Sequence, residues 1–281
     1  MGALRIDAHQ HFWRYSATDY GWISDDMHVL RRDFLPPDLA PLLAANGFDG
    51  SMAVQARQTL DETNWLLDLA DDYPFILGVV GWVNLCSPRV ADDLAALTDR
   101  RKLVGIRHIV QGEPDDEFLL RPDFCRGVAR LEGFGLAYDI LIFPGHLPVA
   151  VEFARRFPRQ RFVLDHLAKP SVRTGELAGW ARDLRDLAAL DNVSCKLSGM
   201  VTEADWSDWT SAGIEPCLDT AMEMFGAERL MIGSDWPVCT LAADYTRTMT
   251  LVIDYVGRLS DSERDLVLGL NAQRFWRLEA P

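Results

Sequence analysis

Eight short apolar runs recur along this chain: Leu4 to Ala8, Gly50 to Val54, Phe75 to Val83, Leu103 to Val110, Leu136 to Phe143, Arg161 to Leu164, Val193 to Leu197 and Leu230 to Gly233. Their starts lie 46, 25, 28, 33, 25, 32 and 37 residues apart. Parallel strands need a crossover of about a dozen residues or more, usually a helix, and each interval has room for one helix with its loops. The intervals also carry helical periodicity. Trp65, Leu66, Leu69 and Tyr73 form one stripe, and Leu177, Trp180, Leu184, Leu187 and Leu190 form another. Pro122 and Asp123 open a helix that Gly133 or Gly135 ends, Ser260 and Glu263 have the spacing of a capping box, and the last helix runs to about Trp276.

Length alone would allow two domains, at roughly 150 residues each, but α/β barrels run to about 250 residues as one unit. No Pro/Gly/Ser-rich linker interrupts the 281 residues. The expectation is therefore an α/β fold, a single (β/α)8 TIM barrel domain over residues 1–281. The longest connection follows strand 1, and its segment Phe12 to Pro37 reads as an irregular loop at the C-terminal face, in the position of a lid.

Charge removes whole classes of partner. With 28 Lys+Arg against 42 Asp+Glu the net charge is -14, which repels phosphate backbones and anionic lipid, so neither nucleic acid nor membrane is expected as a partner. The five cysteines lie at least 22 residues apart and form no CxxC pair, which suits reduced thiols. The N-terminus turns polar within ten residues, and no run of about 18 apolar residues occurs. These features lead to the expectation of a soluble, cytoplasmic protein.

If the barrel forms, reactive side chains belong at the C-terminal ends of its strands, and several polar residues fall there. His9 and His11, two apart, point to one face of an extended strand and can grip one divalent cation or one substrate oxygen. Alone, such a pair reads equally well as two histidines bonded to backbone. Asp235, in Gly233-Ser-Asp-Trp-Pro237 at the end of the strand that closes the barrel, tilts the balance, since a carboxylate there can ligate a metal or take a proton from water. His166 follows strand 6, and strand alternation would turn its neighbour Asp165 the other way. One of Arg107 and His108 should point inward and the other out. His28 and His146 read as bystanders.

These motifs, with Asp7-Ala-His-Gln-His-Phe-Trp13, Tyr20-Gly-Trp22, Gly105-Ile-Arg-His108, Leu164-Asp-His-Leu-Ala-Lys-Pro170 and the closing Gly269-Leu-Asn-Ala-Gln-Arg-Phe275, resemble in order and over nearly the whole chain the lactonase branch of the amidohydrolase superfamily. The resemblance implies hydrolysis of a sugar-acid lactone, L-fuconolactone or a related aldonolactone, to the aldonate. It implies Asp235 as general base and then acid, assisted by His9, His11 and His166. Binuclear relatives carry a lysine or glutamate ending strand 4 and a histidine ending strand 5, where this chain has Arg107-His108 and Asp139 to Phe143. Two routes stay open. In one, a single divalent metal, zinc, sits on His9, His11 and Asp235, with His166 as a further candidate; in the other the site is metal-free and the histidines donate hydrogen bonds to the oxyanion. Substrate-binding candidates are Trp22, Trp82 and Trp236 for stacking, and Gln55, Arg57, His108 and Lys169 for hydroxyl groups. The alternatives are a decarboxylase using Arg57, Arg107 and Lys169 as a carboxylate clamp, and a non-catalytic sugar-acid-binding barrel.

Overall fold

The computed structural model describes residues 3–278, so the first two and last three residues of the expected 1–281 span lie outside it. Eight parallel strands stand in sequence order around one sheet: β1 (Ile6–Gln10), β2 (Gly50–Val54), β3 (Ile76–Gly81), β4 (Leu103–Ile109), β5 (Ala137–Leu141), β6 (Phe162–Leu164), β7 (Val193–Leu197) and β8 (Leu230–Ile232). Helices α1 (Pro36–Ala45), α2 (Leu60–Asp72), α3 (Val90–Ala96), α4 (Pro122–Leu131), α5 (Leu147–Arg156), α6 (Ala178–Ala188), α7 (Ser211–Phe225) and α8 (Tyr245–Val256) surround them, and the short α9 (Asp261–Asp265) and α10 (Asn271–Trp276) end the chain. This is a (β/α)8 TIM barrel.

Alternation along the strands sorts the core. Ile6, Ala8, Met52, Val54, Val80, Ala137, Val163 and Met231 pack together inside the barrel on Ala272 and Trp276 of α10. Their strand neighbours, such as Ala53, Val79, Ile106, Tyr138, Leu164 and Cys195, join the larger cluster under the helices. Buried on both faces, the strands contain almost no exposed residue, as parallel sheets require.

Several local expectations are refined. β1 runs two residues later than expected, because Gln10 bridges to Trp236 across the closing seam. Gly135, at φ 71, ends the α4 segment after a 3-10 turn, whereas Gly133 lies within that turn. The Ser260 capping box forms in full. The loop after β1 is less irregular than read: it contains a 3-10 helix, Asp25–Leu30, and its base is pinned by reciprocal bonds between Trp13 and Phe34. Buried Trp13, Tyr20 and Phe34 make an aromatic cluster there, because such rings fill the space above the first two strands better than a polar loop could. Among the described residues, no helix is long and apolar enough to cross a membrane, and all five cysteines are free.

Candidate active site

The first two histidines face inward because β1 is bulged. Asp7 pairs with Ser51 and Gln10 with Ala53, so Ala8 and His9 together oppose Met52. Asp7, before the bulge, faces outward, accepting bonds from Ser234 Oγ (2.6 Å) and Tyr245 Oη (3.1 Å). His9 and His11 face the barrel interior. The closing seam then delivers the carboxylate: Asp235 N donates to His9 O at 2.8 Å and His11 N donates to Trp236 O at 2.6 Å. Two backbone hydrogen bonds therefore clamp the strand-1 histidines to the strand-8 aspartate. Asp235 itself sits at φ 56, a left-handed conformation that costs a non-glycine residue about 1–2 kcal/mol and turns the side chain back over the barrel mouth.

The donor atoms converge. His9 Nε2 lies 3.2 Å from His11 Nε2, and Asp235 Oδ1 lies 3.7, 3.4 and 3.8 Å from the Nε2 atoms of His9, His11 and His166. His11 Nδ1 is 2.7 Å from Val54 O, which only accepts, so Nδ1 carries the proton and Nε2 a lone pair. Asp165 Oδ1 lies 3.4 Å from His9 Nδ1. Ligands at about 2.0–2.1 Å from a tetrahedral zinc stand roughly 3.3–3.4 Å apart, so this donor set fits one small divalent cation. Among the described residues, two groups could hold a metal, His9/His11/Asp235 and His9/Asp165/His166.

Electrostatics favours the required charge states. Burial pushes His9 well below its ordinary value and His166 down to about 4, so both imidazoles are neutral at neutral pH. Burial acts to raise Asp235, but His166, His11 and His9 outweigh it and hold the carboxyl below the usual carboxylate range. The resulting state is an ionised carboxylate facing the neutral imidazoles of His9 and His166.

His166 and Asp165 both reach the interior, contrary to simple alternation. β6 ends at Leu164, Asp165 keeps the inward parity of Val163, and residues His166 to Lys169 follow in a run of left-handed conformations with φ between 53 and 58 that swings His166 inward too. Gly199, at φ +66, admits this turn: a Cβ there would stand 2.6 Å from His166 Nδ1. Asp165 partners His9 and also receives Arg107 NH1 (2.9 Å) and Lys196 Nζ (2.9 Å). Lys196 bonds Asp139 Oδ2 at 2.5 Å and sits 3.2 Å from His9 Nδ1.

Above this group opens a cavity of about 400 Å³. Among the expected residues, His11, His166, Asp235, Trp22 and Lys169 line it, and His9 lies beneath, fully buried. The other substrate-binding candidates do not line it. Arg57 is drawn to Asp19 at 2.7 Å. His108 points out of the barrel, stacked on Phe118 and bonded to Glu113 at 2.7 Å, and the Trp82 indole N–H is 3.3 Å from His108 Nδ1. Trp236 is buried edge-on against Phe12 and Phe34. Gln55 is buried and bonded to Arg107, whose NH2 donates to its Oε1 at 3.1 Å. Of the Arg107/His108 pair, the arginine faces inward. His28 is exposed, and His146 is buried near Asp116, away from the cluster. Residues that the sequence reading missed are Lys196 and Asp139 below the site and Gln111, Glu203 and Trp206 around the cavity. A charged residue at an inward parity of a barrel strand, as Lys196 and Asp139 are, was the available signal.

Strand order, the seam and the donor set place the protein among (β/α)8 enzymes that work at the C-terminal rim of the barrel. A family model described as amidohydrolase matches residues 6–278, and the chain belongs to that family. It is 48% identical over 292 residues to an L-fucono-1,5-lactonase of Burkholderia multivorans, covering 100% of this chain and 98% of that one. It is 39% identical to an L-fucono-1,5-lactonase of Burkholderia ambifaria, covering 99% and 97%. A crystal structure of a Burkholderia multivorans amidohydrolase with bound zinc superposes with TM-score 0.95 at 47% identity, covering 99% of this chain and 100% of that one.

Proposed function

We propose that this protein is a hydrolase that opens a sugar-acid lactone, L-fucono-1,5-lactone or a close stereochemical relative, to the aldonate. The observation that carries the reading is the convergence of His9 Nε2, His11 Nε2 and Asp235 Oδ1 within 3.2–3.7 Å at the floor of the cavity. The two full-length relatives at 48% and 39% identity bear the lactonase name, which favours this reading over the decarboxylase and the binding barrel.

In this reading His9, His11 and Asp235, with His166 beside them, hold one zinc ion. When bound, such a cation polarises a carbonyl and makes water more acidic. The chain's own residues supply the proton path. With Asp235 Oδ1 turned to the imidazoles, Oδ2 takes the proton of the attacking water and later returns it to the departing ring oxygen. Arg107, with NH1 3.4 Å from His9 Nε2, sets a permanent positive charge beside the developing oxyanion. Trp22, at the mouth, and Lys169 contact the sugar ring. The substrate would come from oxidation of a sugar at its anomeric carbon, which places the reaction in sugar degradation, here L-fucose breakdown. Five free cysteines support a reducing compartment, the cytoplasm.

The test is a pH-indicator screen of aldonolactones on the purified protein before and after chelator treatment. Acid release from L-fucono-1,5-lactone that falls on chelation and returns with zinc is the expected result. Release that survives full metal removal selects the metal-free route, and no release from any lactone overturns the reading.

A further inference from the structure

The polar groups of the cavity wall divide into those already engaged and those free to meet a ligand. Arg107 spends NH1 on Asp165 and NH2 on Gln55. Thr202 Oγ1 donates to Gly199 O at 2.7 Å, and the Trp206 indole N–H donates to Thr202 O at 2.9 Å, which leaves that ring as an apolar wall. His11, His166 and Asp235 form the reactive cluster. Besides the Arg107 Nε, which has no partner among the described residues, and the exposed Trp22, three polar side chains of the lining remain: Lys169 from the turn after β6, Glu203 from the loop after β7, and Gln111 from the loop after β4.

Each has spare hydrogen-bonding capacity. Lys169 Nζ and Glu203 Oε1 stand 3.6 Å apart, close enough to attract but beyond hydrogen-bond length. Gln111 Oε1 is buried and has no hydrogen-bond partner among the described residues. Leaving it unpaired costs about as much as a lost hydrogen bond, and because the atom is shut off from solvent the Gln111 amide must turn toward the opening to meet a ligand donor.

We propose that Glu203 and Gln111, with Lys169, are the specificity-determining residues that read the ring hydroxyl groups of the substrate. Glu203 accepts from a pair of neighbouring hydroxyls, Lys169 donates to their oxygens, and Gln111 accepts from a hydroxyl on the β4 side. The ligand class is thus a polyhydroxylated ring, and a plain aliphatic lactone of equal ring size fills the cavity without satisfying any of the three. The assignment deepens the lactonase reading and rests on it for the substrate.

The test compares L-fucono-1,5-lactone with δ-valerolactone, which has the same ring and no hydroxyl, in wild type, Glu203→Gln and Gln111→Leu, with melting curves confirming that each variant folds. The ratio of kcat/KM for the two lactones should fall about tenfold or more in Glu203→Gln, and by a smaller factor in Gln111→Leu, mostly through KM. Calorimetric binding of L-fucose, a hydroxylated ring that cannot be hydrolysed, should weaken in parallel. An unchanged ratio with unchanged L-fucose binding overturns the assignment. If wild type opens neither lactone, the hydrolase reading falls, and L-fucose binding alone still decides the roles of Glu203 and Gln111.

Discussion

Two buried carboxylates flank His9, and they are held in opposite ways. Asp165 carries two cations, Arg107 and Lys196, each at 2.9 Å. Asp235 faces three imidazoles and no lysine or arginine within salt-bridge distance among the described residues. The same residue type therefore serves two purposes. Asp165 is neutralised by fixed charges, whereas Asp235, on the function proposed above, keeps its negative charge for a mobile partner, a cation or a proton. Of the two groups able to hold a metal, the one built on Asp165 already contains its countercharge, and the one built on Asp235 does not. A buried charge left without its partner is costly, and the proposed function supplies that partner for Asp235.

The sharpest way to break this contrast is Asp235→Asn, which keeps the shape and removes the proton acceptor. Turnover should fall by about 10² to 10⁴-fold while the melting temperature stays near that of wild type. A kcat within a few-fold of wild type removes Asp235 from the reaction. Lys196→Met attacks the other side. It leaves Asp139 and Asp165 short of a cation inside the barrel, and the expected loss is about 3–5 kcal/mol in denaturant unfolding. Near-native stability would mean that the buried network is not what holds the interior together.

Asp165→Asn sharpens the comparison. It weakens the orientation of His9, so zinc affinity measured against a competing chelator should drop about 10- to 100-fold. An unchanged affinity would assign Asp165 to stability alone.

The smallest effect concerns a third carboxylate, Glu62, which accepts bonds from the Ala56 and Arg57 amides at 3.0 and 2.7 Å. Burial outweighs these donors and pushes its pKa up to about 7 from 4.5. Because the folded value lies above the unfolded one, its stabilising contribution is complete below pH 4.5 and is lost as pH rises to about 7. The stability of Glu62→Gln relative to wild type should therefore rise across that window and level off above it. A difference that does not vary with pH excludes Glu62 as a titrating group.

Much of the architecture was legible before any coordinates. Strand spacing and the period-2 and period-3.6 patterns report which face of each segment meets apolar surroundings, and those patterns are local. That His9 and His11 share a face was readable for the same reason, whereas the bulge in β1 decides that this face is the inner one. The recognition residues were less so. Arg57, Trp82 and Trp236 stand beyond strand ends where the chain leaves β geometry, so parity no longer says where a side chain points, and His108, still within β4, takes the outward parity; each is claimed by a neighbour from another element, Asp19 for Arg57, His108 for Trp82, Phe34 for Trp236 and Glu113 for His108. Glu203 and Gln111 carry no motif, and what singles them out is a shared cavity.

By itself, the order of residues determined the barrel, the face shared by His9 and His11, and the end of the last strand as the place of Asp235. Tertiary structure decided which groups meet: the bulge opposite Met52 turns His9 inward, the bonds across the β1–β8 seam bring it to Asp235, and the left-handed turn beside Gly199 adds His166. The physical reason is range. Hydrophobic periodicity is recorded within about a dozen residues of chain, while a salt bridge such as Lys196–Asp139 or a seam between residues 9 and 235 depends on distances that exist once the ring has closed.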